Sequence, residues 1–127
     1  GGADGGARYA PETLAAKPDV AAKDFHALDL RVGRVVAAEP FPEARKPSLR
    51  LRVDFGPVIG ELETSAQITR YDPSALVGRL VVGAVNLGVR RIAGLESRFL
   101  VIGGLHPDGA VSLLAPDEDL APGSAVA

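Results

Sequence analysis

The chain has 127 residues, a formal net charge of −2 and no Cys. That length suits one domain, and a chain of this size buries about two thirds of its unfolded surface without help from a metal or a disulfide. The composition excludes disulfides, thiol catalysis and Cys-ligated zinc, and it is compatible with a reducing cytoplasm.

No apolar run approaches the ~20 residues of a membrane span. The first residues lack the basic-then-apolar plan of a signal peptide. With no global positive field, nucleic-acid binding would have to rest on a local patch. The cations are 11 Arg against 3 Lys. Arg carries planar, forked donors suited to phosphate and carboxylate. A general bias toward Arg, Ala, Gly and Pro accounts for the same count, so placement matters more than abundance.

Residues 1–24, rich in Gly, Ala and Pro, read as a flexible tail. One or two helical turns from Pro11 are stopped by Pro18. Residues 25–127 form the folded domain. Leu28 to Ala38 reads as the first strand. Its alternation slips at Gly33-Arg34, which predicts a bulge that curls the strand around a barrel. Residues 39–47 carry three Pro and read as a restrained loop. Phe41 in that loop is either a ligand contact or packs back on the barrel rim.

Ser48 to Phe55 is the clearest strand. Leu49, Leu51, Val53 and Phe55 share one face, with Arg50, Arg52 and Asp54 on the other. Gly60 to Thr64 reads as a third strand. Asp72 to Gly78 reads as a short helix, with Asp72 as cap, Pro73 at the first helical position and Gly78 at the end. Arg79 to Val85, Arg98 to Gly103 and Val111 to Leu114 read as further strands, with a tight turn at Pro107-Asp-Gly. Residues 117–124 are acidic and turn-rich. Five or six short strands with one short helix after the third predict an all-β, five-stranded Greek-key barrel of the OB type, with extra strands and turns at the C-terminal end.

Catalytic signatures are absent. His26 and His106 stand far apart, with no His-Glu-x-x-His, no Cys pair and no Gly-x-x-x-x-Gly-Lys-Ser/Thr. Ser65 and Ser97 lack an evident base. No metal, cofactor or enzymatic activity is expected.

The stretch Val85 to Ser97 stands out. It joins two apolar runs and holds an Asn, two adjacent Arg, two Gly and a Ser. A hairpin needs about two to five connecting residues. The stretch therefore reads as a long loop carrying cationic donors, whether solvated or functional.

Ser65-Ala-Gln-Ile, then Asn86 and Arg90-Arg91-Ile-Ala-Gly, resemble the tRNA-binding domain family of small stand-alone proteins and synthetase modules. More narrowly, Phe41-Pro-Glu-Ala-Arg-Lys-Pro, Val53-Asp-Phe-Gly, Thr64-Ser-Ala-Gln-Ile-Thr and Arg91-Ile-Ala-Gly-Leu-Glu-Ser resemble the CsaA family of export-related chaperones. The resemblance runs from about Phe25 to the C-terminus. Where the tRNA-binding modules often continue after the Ser with Gly-Met, this chain has Arg98-Phe99, which favours the CsaA branch.

The resemblance implies a cytoplasmic OB-fold homodimer that binds tRNA-like structured RNA and unfolded or preprotein segments. The family's polar motif maps onto Ser65, Gln67, Asn86, Arg90, Arg91, Gly94 and Ser97. Arg50 and Arg52 either extend the cationic patch or form a solvated face. Asn86 and Gln67 either meet RNA or bond loop backbone. The few aromatics favour folded RNA read by shape over single strands gripped by stacking. The alternative is a peptide-binding secretion chaperone with little RNA binding. For that reading Phe41, Leu87, Ile92 and Leu95 are the apolar candidates, either as a peptide groove or as the homodimer contact.

Overall fold

The unbroken alternation after Ser48 becomes strand β2, Leu49–Asp54, with Leu49, Leu51 and Val53 buried and Arg50 and Arg52 turned outward. The computed structural model describes residues 7–127. Ahead of β2 come a 3-10 turn, Pro11–Thr13, a short helix α1, Ala22–His26, and the long strand β1, Leu30–Pro40. After it come α2 (Gly56–Ile59), β3 (Glu61–Ala66), α3 (Pro73–Leu76), β4 (Leu80–Ala84), β5 (Arg90–Ile92), β6 (Leu95–Ser97), β7 (Leu100–Val101), β8 (Gly103–Leu105) and β9 (Val111–Leu113).

Five strands pair antiparallel in the order β3-β2-β1-β4-β7. β1 serves two partners in turn. Leu30 to Arg34 pair with β4, and Arg34 to Pro40 pair with β2. The Arg98 N–H donates to Glu63 O at 2.9 Å, which brings β3 toward the far edge and nearly closes the barrel. The result is an OB-type barrel of short strands with few, short helices.

The bulge lies a little later than the Gly33-Arg34 slip suggested, between Val35 and Ala37. Gly33 has another task. A Cβ there would sit 2.7 Å from the Phe55 ring, so the glycine admits that ring to the core. Phe55 meets Phe99 edge to face, centroids 4.9 Å apart, a favoured aromatic geometry. Around them pack Val35, Leu51, Val53, Leu76 and Val81. Leu76 plugs one end of the barrel from α3. That helix has the expected Asp72 cap, whose Oδ1 accepts from Ser74 N–H at 3.0 Å.

The C-terminal turns are part of the barrel. Val32 N–H donates to Ser124 O, Gly123 N–H to Val32 O and Val126 N–H to Leu30 O. Residues 123–126 thus cover the edge of β1 that β2 does not reach. At the other end, Tyr9 N–H donates to Pro107 O at 2.8 Å, so residues near Tyr9 rest on the β8–β9 hairpin. Residues 1–6 of the expected tail lie outside the described residues.

Two expectations change. The stretch 85–97 is not one long loop. It folds into a hairpin of β5 and β6, with Arg90 opposite Ser97, Arg91 opposite Glu96 and Ile92 opposite Leu95. Its two-residue turn, Ala93-Gly94, has φ of +48° and +87°, the paired positive values of a type I′ turn. Strands of three residues are too short to show a period, and Ala is a poor turn signal. The expected strand Arg98–Gly103 likewise divides into β7 and the start of β8.

Candidate nucleic-acid interface

The β5–β6 hairpin leans over the barrel and walls a groove of about 840 Å³. Arg90 and Arg91 line it from the hairpin. Arg45 and Lys46 line it from the Pro-rich loop between β1 and β2. Ser65, near the end of β3, and Gln67, just after it, also line the groove, and Ile92, Leu100, Val101 and Val111 supply apolar surface. The lining holds these four cations and no carboxylate.

The four cations are not equivalent. Arg91 faces Glu96 across the hairpin, with Nη2 3.2 Å from Oε1, and Glu96 also takes Arg98 at 2.7 Å. Arg90, Arg45 and Lys46 have no acidic partner among the described residues. Their charge is therefore the least compensated at the groove. An exposed ion pair is worth little, so Arg91 remains able to exchange Glu96 for another anion.

Other residues singled out in the sequence lie elsewhere. Asn86 is occupied by the backbone. Its Oδ1 accepts from Asp29 N–H at 2.8 Å and its Nδ2 donates to Ala27 O at 2.9 Å, joining the start of the hairpin stretch to the segment before β1. Ser97 is buried and shares a 2.7 Å hydrogen bond with the Thr64 hydroxyl. Ser97 thus completes a bond in the interior, while Asn86 stays exposed with its amide already joined to two backbone groups.

Arg50 and Arg52 do not extend the groove. They lie on the outer face of β2, and the register sets Glu63 opposite Arg52 and Glu61 opposite Asp54, diagonal neighbours on that face. Arg50 Nε meets Glu63 at 2.7 Å, and Arg52 Nε meets Glu61 at 3.1 Å. The hydrogen bond to Glu63, then its charge, raises the Arg50 pKa above its ordinary value.

A second cavity of about 470 Å³ lies on the other side of the hairpin. Glu43, Glu61, Glu63 and Glu96 line it together with Arg50 and Arg98. The hairpin thus separates a cationic groove from an acid-rich one.

Of the apolar candidates, Phe41 and Leu95 are each only 6% exposed and belong to the core and its rim. Phe41 also donates its backbone N–H to Ser48 O at 3.0 Å. Ile92 is half-buried in the groove wall, and Leu87 is exposed. Arg45 and Lys46 were not singled out as site residues. They were visible within the Phe41-Pro-Glu-Ala-Arg-Lys-Pro motif, but only the folded loop brings them into one groove with β5.

Among the described residues no group of three or more His, Cys, Asp or Glu is placed to hold a metal ion, and no helix is long and apolar enough to cross a membrane.

The model of the tRNA binding domain family matches residues 30–125. This chain belongs to that family. The tRNA binding domain described here aligns with the whole of two solved chaperones. One is CsaA from Bacillus anthracis str. Ames, 44% identical with a TM-score of 0.82, covering 87% of this chain and 100% of that one. The other is CsaA from Picrophilus torridus, 38% identical with a TM-score of 0.81, covering 86% and 100%.

The domain also recurs inside larger proteins. Methionine--tRNA ligase 1 of Sorangium cellulosum is 40% identical over 122 residues, which is 95% of this chain and 17% of the ligase. The methionine--tRNA ligase of Porphyromonas gingivalis strain ATCC 33277 is 38% identical over 108 residues, 85% of this chain and 16% of the ligase. The chain therefore spans about a sixth of these ligases. The matched family is named for tRNA binding, and the ligases that carry the domain are enzymes.

Proposed function

We propose that this domain binds tRNA or RNA of similar structure, with phosphates set against Arg90, Arg91, Arg45 and Lys46 and with Ser65 and Gln67 bonding sugar or phosphate oxygens. One observation carries the reading: four cations line a single groove that holds no carboxylate. The groove also lies where OB barrels receive oligonucleotides, between the loop after the first strand and the connection after the fourth. Asn86 and Ser97 serve by holding the hairpin, and Arg50 and Arg52 stay with their glutamates.

The groove lining contains no aromatic residue, and Phe41, Phe55 and Phe99 are buried. Base stacking is therefore a small part of the grip within the groove. Phosphate neutralisation and RNA shape carry it. The expected class is a cytoplasmic, non-catalytic RNA-binding protein that takes no cofactor. The test is fluorescence anisotropy of labelled tRNA over a salt ladder. Four phosphate contacts predict a log–log salt slope of about −3 to −4. No binding at low salt, or binding indifferent to salt, would overturn the reading.

A second reading has its own observation. Leu100, exposed in the groove, adjoins Val101, Val111 and half-buried Ile92. That apolar floor suits an extended, unfolded preprotein segment, as an export-related chaperone would hold. Such binding would be almost independent of salt. Exposed Leu87 and Val89 supply a face for a homodimer. Sedimentation of Leu87→Asp against the unchanged chain tests that face.

A further inference from the structure

Tyr9 precedes the matched domain, which begins at residue 30. It is nevertheless tied to the barrel. Its N–H donates to Pro107 O at 2.8 Å, and its neighbour Ala10 is buried. The seat is Gly109, in the turn between β8 and β9, with φ +89°. A Cβ at Gly109 would lie 3.2 Å from the Tyr9 Cε2 atom, so the ring rests where the glycine leaves space.

Gly109 is also a wall residue of the cationic groove, on the side where Gln67 and Val111 lie. The Arg8 guanidinium stands over the Tyr9 ring, 5.2 Å from its centroid, and Arg8 is exposed. An aromatic ring and a further cation therefore stand together beside Gly109, where that residue lines the groove. The other aromatics are otherwise engaged. Phe41, Phe55 and Phe99 are buried, and the half-buried Tyr71 accepts from Leu113 N–H and packs beneath Arg79. Phe25 packs against His26 on α1.

We infer that Arg8 and Tyr9 form an additional nucleotide contact at this part of the groove. An unpaired base of the bound RNA stacks on the pair, and Arg8 neutralises a neighbouring phosphate. The contact rests on the RNA reading of the groove given above. Both an aromatic ring and a guanidinium plane accept a stacked base of any identity. The pair therefore adds affinity and length of footprint, not sequence choice.

The experiment uses the full chain and labelled tRNA over a salt ladder, with Tyr9→Ala, Tyr9→Phe, Arg8→Ala and the unchanged protein. Loss of one stacked base predicts an affinity drop of about fivefold to a hundredfold for Tyr9→Ala. Tyr9→Phe should bind like the unchanged protein. Arg8→Ala should lower the salt slope by about one unit, and Tyr9→Ala should leave the slope alone.

The chain holds two Tyr and no Trp, so stacking also predicts quenching of tyrosine emission by tRNA that Tyr9→Ala removes. If the unchanged protein binds tRNA and Tyr9→Ala binds equally well, the contact is wrong while the groove reading stands. If the unchanged protein does not bind tRNA, both fall together.

Discussion

The Thr64 and Ser97 hydroxyl oxygens lie 2.7 Å apart in the interior, and Ser97 is the residue opposite Arg90 in the hairpin. One buried bond therefore ties β3 to the strand pair that carries Arg90 and Arg91. Removing one partner leaves the other short of a hydrogen bond, since the Thr64 hydroxyl otherwise has only Ser65 O at 3.4 Å. Ser97→Ala should cost about 1–2 kcal/mol of stability in urea unfolding. The Thr64→Val/Ser97→Ala double variant should cost less than the two single variants added together. Full additivity would show that the hydroxyls do not act as a pair.

The hairpin turn holds Ala93 at φ +48°, a left-handed conformation disfavoured by about 1–2 kcal/mol for a residue with a Cβ. Asn tolerates it better, and Asn-Gly is the preferred type I′ pair. Ala93→Asn should therefore stabilise the protein by about 0.5–1 kcal/mol, read as a higher midpoint in thermal unfolding. A lower midpoint would mean that the turn is not held as described.

Gly33 faces the Phe55 ring at a distance that leaves no space for a methyl group. Gly33→Ala should cost about 1–3 kcal/mol through overpacking. Gly104 is the control. A Cβ there meets nothing nearer than 4.0 Å, so Gly104→Ala should unfold close to the unchanged protein. Equal behaviour of the two would contradict the tight fit at Phe55.

In the proposed function Asn86 serves structure and Arg90 serves binding. Asn86→Ala loses the two backbone partners at Ala27 and Asp29 and should lower stability by about 1 kcal/mol, with little change in the salt slope of RNA binding. Arg90→Ala should leave the unfolding midpoint in place and lower that slope by about one unit. The reverse pattern in denaturation and anisotropy would exchange their roles.

What the sequence revealed depended on how far apart the interacting residues lie. β2 was legible because six residues alternate without a break, and α3 because Asp72, Pro73 and Gly78 mark its ends locally. The outward placement of Arg50 and Arg52 followed from the same alternation. Their pairing with Glu63 and Glu61 did not, because it needs the β2–β3 register. Asn86 was legible as a polar residue, but its two partners come from the segment before β1, 57 and 59 residues away. Arg45 and Lys46 sit in a loop whose prolines speak only of a restrained backbone. Their place in one groove with Arg90 arises only when the β1–β2 loop and the β5–β6 hairpin come together. The hairpin itself was hidden because three-residue strands carry no period.

The most direct test of the groove sets its cations against those on the outer face. Labelled tRNA is titrated at several salt concentrations with the unchanged protein, Arg90→Ala/Arg91→Ala and Arg50→Ala/Arg52→Ala. The groove reading predicts that the first double variant binds more weakly and lowers the salt slope by about two units, while the second keeps the slope of the unchanged protein. Equal losses in both variants, or a loss confined to Arg50 and Arg52, would contradict it.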